Sequence, residues 1–224
     1  MPEQKNKNVK PTPTYRVFIS STSVDMQKYR DAISNALLRA GCMPVGMEWF
    51  GASITPPLDT CYQEMETCQL FLCALGMRYG DIVPEAQKSF TQLEYEKAEA
   101  AGMPMLVFLI DEEKATFKVS DIETGPGAEK LKLFKDKIKK AKSVTYASFY
   151  SPEDLETVVF QSANKAIRHI EYKNKEKDSY MERFLRSKAP WMEFRFWSTS
   201  SWICVNSWFS RMVRFWSVFL HWEA

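Results

Sequence analysis

The sequence predicts an α/β fold: a five-stranded, mostly parallel sheet with helices on both faces. Three observations predict it. Short apolar runs alternate with helical stretches in the order β-α-β-α-β-α-β-α-β-α, the pattern of a parallel sheet crossed by helices. The run Leu70-Phe-Leu-Cys-Ala-Leu75 is apolar throughout, as a central strand buried on both faces requires. The chain has 224 residues and a hydrophobic fraction of 45%, enough for one domain of ordinary size plus appendages.

The elements follow in order. Residues 1–13 are polar, lysine-rich and proline-bearing, with no apolar h-region, and read as a disordered tail rather than a signal peptide. Tyr15–Ile19 is the first strand and Ser20–Asp25 a polar turn. From Met26 to Ala40 the residues Tyr29, Ile33, Ala36, Leu37 and Ala40 recur at helical spacing, and Gly41 supplies the stop. Met43–Met47 is a second strand that must accommodate Pro44 and Gly46. A loop through Trp49 to Pro57 leads to a helix over Leu58–Cys68, with Cys61, Met65 and Cys68 on one face.

After the central strand, Gly76–Asp81 is the loop at its carboxyl end. Ser89 to Gly102 reads as a helix ending on glycine and feeding the strand Met105–Ile110. Asp111–Gly127 is a long polar connection. Ala128–Lys142 is a lysine-rich helix with Leu131, Phe134, Ile138 and Ala141 on one stripe, and its lysines read as a solvated basic face. Val144–Phe149 alternates like a strand. Ser151-Pro152 starts the last helix, which reaches about Tyr172.

The domain boundaries that follow are a tail over 1–13, an α/β domain over 14–173, a charged linker or helix extension over 174–190, and a Trp-rich tail over 191–224. Six of the seven tryptophans lie in that last segment. Its longest uncharged stretch, Phe196–Ser210, has 15 residues, short of an ordinary membrane span. Mixed aromatic and basic residues suit peripheral membrane contact or a partner-binding strip, and a truncated gene or shifted reading frame explains them equally well.

Bulk composition excludes several classes. A net charge of +2 points to no specific nucleic acid. The five cysteines form no C-x-x-C pair, and there are only two histidines, His169 and His221, so neither a zinc site nor a disulfide framework is expected. No metal and no resident cofactor are expected. Free cysteines in apolar segments suit a reducing, cytoplasmic compartment.

Helices of a doubly wound sheet begin near the carboxyl ends of the strands, where ligands bind. Glu94 therefore falls in the first turns of a helix, close to the expected cleft. Two readings of it stand side by side: a carboxylate acting on a bound sugar or nucleotide, and the acid of a capping box Thr91-x-x-Glu94 that needs no substrate.

Several segments together resemble a known family: Val17-Phe-Ile-Ser-Ser-Thr, Met43-Pro-Val-Gly-Met-Glu48, Gly76-x-Arg-Tyr-Gly80, Ser89-x-Thr-x-x-Glu94-Tyr95 and Ala101-Gly-x-Pro104. In this order the chain from Tyr15 to Tyr172 resembles a TIR-like domain of unknown function (DUF4062 type), usually found at the amino end of large STAND or NACHT ATPases. No Walker A motif occurs in this chain. The resemblance implies a flavodoxin-like, TIR-like three-layer sandwich. It also implies, from the enzymatic members of the wider superfamily, cleavage of the glycosidic bond of NAD with release of nicotinamide, in a defence or cell-death setting. NAD is then a substrate rather than a cofactor. Those members carry a catalytic glutamate eight residues ahead of a glycine turn and an aromatic residue four positions before the acid; here these are Glu94, Gly102 and Phe90. The resemblance further implies a homo-oligomer whose site a neighbouring subunit completes.

On that reading Glu94 is catalytic. Ser20 and Ser21 offer backbone amides to phosphate or ribose oxygens. Tyr79 and Phe90 stack on a ring, Arg78 pairs with a phosphate, and Glu48 is a second acid at a strand end. Arg78-Tyr79-Gly80 reads equally well as a structural turn, and Glu48 as a solvated loop acid. Glu96 and Glu99 belong to a solvated face. The competing function is a non-catalytic TIR-like scaffold or nucleotide-sensing module that mediates self-association.

Overall fold

The computed structural model describes residues 15–47, 57–141 and 144–188. Its main sheet is built from β1 (Tyr15–Ser20), β2 (Cys42–Val45), β3 (Leu70–Leu75), β6 (Met105–Ile110) and β7 (Tyr146–Phe149). The five strands run parallel in the order β2-β1-β3-β6-β7. This is the doubly wound, flavodoxin-like order, with its switch point between β1 and β3. A two-stranded antiparallel hairpin, β4 (Ile82–Val83) with β5 (Lys88–Ser89), stands apart from it.

The helices are α1 (Gln27–Arg39), α2 (Pro57–Glu66), α3 (Phe90–Ala100), α4 (Pro126–Lys140) and α5 (Pro152–Lys188). Each strand sends alternate side chains to opposite layers. Val17, Ile19, Leu70, Leu72, Ala74, Phe108 and Ile110 pack with Ile33, Ala36 and Leu37 of α1 and with Leu155, Val159 and Ala163 of α5. Phe18, Phe71, Cys73, Leu75, Val107 and Leu109 pack with α2, α3 and α4, through Cys61, Met65, Tyr95, Ala98, Leu131, Phe134 and Ile138. Ser20 lies two residues past Phe18 and so faces the layer of α2 and α3. All six residues of β3 are buried, as its uninterrupted apolar run predicts. Burying a single large side chain of this kind stabilises by roughly 1.5–3 kcal/mol.

Local chemistry sets the element ends. Pro44 is tolerated because β2 is an edge strand, where one side of the ladder needs no donor. Gly41 (φ +75°) and Gly102 (φ +63°) follow α1 and α3 in the left-handed region that glycine enters without strain. At the start of α5 the backbone N–H of Asp154 donates to Ser151 Oγ at 3.2 Å, ahead of Pro152.

The start of α3 corrects the capping-box reading. The N-cap is Ser89, whose extended backbone (φ −72°, ψ 156°) lets Oγ accept from the Gln92 N–H at 3.3 Å. Thr91 lies inside the helix and Glu94 in its second turn, so Glu94 caps nothing. Ser89→Ala should cost about 1 kcal/mol in chemical denaturation, with the loss confined to stability because the cap does not touch Glu94.

Three further boundaries differ from expectation. The hairpin β4–β5 precedes α3; its turn contains Gln87 at φ 54°, a rare left-handed non-glycine. The connection after β6 includes a short 3₁₀ turn, Val119–Asp121. Helix α5 continues to Lys188, through most of the charged stretch. The chain divides into two compact units after Tyr172, and the described part of the second is this continuing helix. None of the described helices is long and apolar enough to cross a membrane. The Trp-rich tail over 191–224 lies outside the described residues, as do Glu48, most of the loop from Trp49 and the tail over 1–13.

Candidate functional site at the carboxyl edge of the sheet

Ser20 ends β1 and Glu94 lies five residues beyond the cap of α3. Both are on the same side of the sheet, and they meet: the Ser20 hydroxyl donates to Glu94 Oε2 at 2.6 Å. The pair is buried, with Ser20 at 1% and Glu94 at 4% exposure. Burial pushes the Glu94 carboxyl above its ordinary range, against the hydrogen bonds from Ser20 and Cys61 and the attraction of Arg30. Glu94 in turn acts on its neighbours. Burial first, and then the Glu94 charge and hydrogen bond, push the Cys61 thiol up to about 12. Burial and the same charge raise the Cys73 thiol too. Both sulfurs are therefore protonated near neutral pH and serve as small apolar groups.

Arg30, missed by the sequence reading, anchors the back of this site. It is 5% exposed. Its Nη1 donates to the Ser21 carbonyl at 3.0 Å and to Ser21 Oγ at 2.8 Å. The signal was present in the sequence: Arg30 falls on the apolar stripe of α1, between Met26 and Ile33, where a solvated arginine has no place. Ser21 thus meets a protein cation through its hydroxyl.

A second cluster ties the segment after β1 to the loop after β3. Asp25 Oδ2 accepts the backbone N–H groups of Met77 at 2.8 Å and Arg78 at 3.1 Å. The hydroxyl of Thr22 donates to Asp25 Oδ1. Gly76 makes room for this carboxylate: a Cβ there would lie 2.4 Å from Asp25 Oδ2. Gly80 (φ +86°) packs against Thr22 in the same way, its added Cβ falling 2.8 Å from Cγ2.

This geometry places Arg78 and Tyr79 in the structural turn. The Arg78 guanidinium donates to the Ser120 carbonyl at 3.2 Å and lies 3.9 Å from Glu123 Oε2. Tyr79 is 3% exposed in the core; its hydroxyl donates to Gln92 at 2.7 Å and its N–H to Glu123 at 3.1 Å. A ring so enclosed packs the core rather than stacking on a ligand, which corrects the stacking role read for Tyr79. Phe90, at the first position of α3, is half-buried, and its N–H is held by the Asp81 carbonyl at 3.1 Å.

On the outer side of α3, Glu96 is ion-paired with Lys88 at 2.7 Å and Lys137 at 3.4 Å. Glu99 meets Lys137 at 3.6 Å. These acids are half-buried or exposed and stand away from the Ser20–Glu94 pair. On α4, Lys135 departs from the solvated basic face: it is 5% exposed and pairs with Glu112 at 2.7 Å.

The fold and this acid–serine pair define a flavodoxin-like α/β domain with a buried carboxyl beside its switch point. A family model matches residues 16–164, and the chain belongs to that family, described as a domain of unknown function (DUF4062). No curated protein matches the chain. Among solved structures it is similar to a histidine-to-aspartate mutant of a flavo di-iron protein from Thermotoga maritima, at 14% identity and a TM-score of 0.36. The match covers 69% of this chain and 35% of that one, so the chain spans about a third of that protein's length.

Proposed function

We propose that this domain is a TIR-like effector that hydrolyses NAD at its glycosidic bond and releases nicotinamide, with Glu94 as the catalytic carboxylate. One observation carries the reading: Glu94 stands beside the switch point of the sheet, 2.6 Å from the Ser20 hydroxyl, and is spared for chemistry because Ser89 caps the helix. Nicotinamide is a good leaving group, and its departure leaves positive charge on the ribose. A carboxylate in a low-dielectric site stabilises that charge strongly. Ser20 ends β1 and Ser21 follows it at the same sheet edge, and Phe90 opens α3 as a half-buried residue.

At 4% exposure the carboxyl has little open surface. Substrate entry therefore requires the cover over Glu94 to shift; the family resemblance implies a site completed by self-association, in a STAND- or NACHT-linked, cell-death setting. Four described cysteines are free and buried, which suits a reducing, cytoplasmic compartment.

The same burial favours a second reading. A carboxyl buried in the core and hydrogen-bonded to Ser20 is a good internal hydrogen-bonding group, and a scaffold or nucleotide sensor needs no more. NAD consumption by concentrated full-length protein, followed by chromatography beside Glu94→Gln, separates the two. Nicotinamide release by the parent alone is expected. Its absence even under forced clustering would leave the scaffold. A pH profile adds an independent check: the acid limb of activity should lie above the ordinary carboxylate range, because burial raises the Glu94 carboxyl and only its ionised form stabilises the ribosyl cation.

A further inference from the structure

We propose that Ser20, backed by Arg30, is a positioning residue that sets the orientation and the ionisation of Glu94. This rests on the glycohydrolase reading for its catalytic consequence, although its physical core does not.

The geometry carries it. The 2.6 Å hydrogen bond joins side chains from β1 and α3, 74 positions apart in sequence, inside a site almost closed to water. A hydroxyl that donates to a carboxylate holds one oxygen in place and favours the charged form. The next residue, Ser21, is gripped by the guanidinium of Arg30 through both its carbonyl and its hydroxyl. Arg30 thereby fixes the end of β1 from which Ser20 projects, and it places a positive charge near the acid.

The other groups that bear on Glu94 come from two further elements. Cys61 and Tyr62 belong to α2, and Cys73 belongs to β3. Burial, reinforced by the Glu94 charge, raises all three. They are neutral near pH 7. Of these groups Arg30 is then the one that carries formal charge; Ser20 donates to the carboxyl at 2.6 Å, beside the weaker thiol donor Cys61.

The test uses the full chain with carboxyl-carbon NMR, the Glu94 signal being assigned by its loss in Glu94→Gln. Ser20→Ala should move the Glu94 titration to higher pH and carry the acid limb of nicotinamide release with it. The rate at pH 7 should fall by about tenfold with KM unchanged, the effect of one lost hydrogen bond of roughly 1.4 kcal/mol to a charged group. Ser20→Cys keeps the volume with a weaker donor and should fall between parent and Ser20→Ala; it also supplies the reading if Ser20→Ala does not fold. Arg30→Met should shift the titration the same way, and Arg30→Lys should restore most of it. An unmoved Glu94 titration in the Ser20 variants overturns the proposal. If the parent releases no nicotinamide while the titration still shifts, the positioning stands and the glycohydrolase reading falls.

Discussion

Glu94→Gln should make the protein more stable above about pH 5 while it abolishes nicotinamide release. Burial raises the Glu94 carboxyl above its ordinary value of 4.5. A raised acid contributes its stability below the unfolded value, and that contribution is lost as pH climbs through the folded one, because the folded state then has to ionise a group it has desolvated. The neutral amide has no such loss, and Ser20 can still donate to its carbonyl oxygen. Thermal unfolding of parent and variant should therefore differ least near pH 4 and diverge upward, levelling off once Glu94 is ionised in the fold. A gain of a few degrees at pH 8 is expected, since about 1 kcal/mol moves the midpoint of a domain this size by roughly 2–4 °C. The activity loss should be at least about a hundredfold, by analogy with removing one electrostatic stabiliser from other sites. A variant that loses activity and stability together would instead make Glu94 a structural residue.

The second large effect lies at Asp25. One carboxylate satisfies the amides of Met77 and Arg78 and the hydroxyl of Thr22, and Gly76 leaves it the necessary space. Asp25→Ala strips three donors of their partner and opens a gap over Gly76. Each donor left without a partner in a part-buried place costs about 1 kcal/mol or more, so a total near 3 kcal/mol is expected in chemical denaturation. Asp25→Asn keeps one acceptor oxygen and should recover part of it. Gly76→Ala tests the same contact from the other side: its methyl would land on the carboxylate, and a comparable loss is expected. A wild-type midpoint in Asp25→Ala would mean that other groups hold the loop after β3.

The parts of this fold that were legible in the sequence are those with a strong pattern. The apolar run of β3, the stripe of α1 and the Ser151-Pro152 start of α5 each carry a signal that a single physical cause explains. The hairpin before α3 carries none: strands of two residues have no periodicity, and its turn uses Gln87 where glycine or asparagine would have announced it. The cap of α3 escaped the reading of Thr91-x-x-Glu94 as the box because Ser89-x-x-Gln92 fits the same pattern, and only the backbone at Ser89 decides between them. The extent of α5 was undecidable for another reason. A charged stretch with no apolar stripe looks the same as linker and as solvated helix.

The site divides along similar lines. The place of Glu94 followed from helix order in a parallel sheet, and that of Ser20 from the end of β1. Their contact did not follow, because it joins residues far apart in sequence. Arg30 was overlooked as one basic residue among many, although its position on an apolar stripe marked it. Arg78 and Tyr79 were attractive by residue type, yet the turn and the core use them first.

The alternation of side chains along β1 has a consequence for sequence length. Ser20 reaches Glu94 because it shares a face with Phe18, while Ile19 goes to the opposite layer. With the start of the strand held in place, adding one residue inside it would bring the branched alkyl group of Ile19 against the acid, and removing one would send the Ser20 hydroxyl into the opposite, apolar layer. Substitutions elsewhere in β1 trade volume for volume, but an odd-numbered insertion or deletion is a change of chemistry. Such a chain could retain its sheet and still have lost its acid's partner.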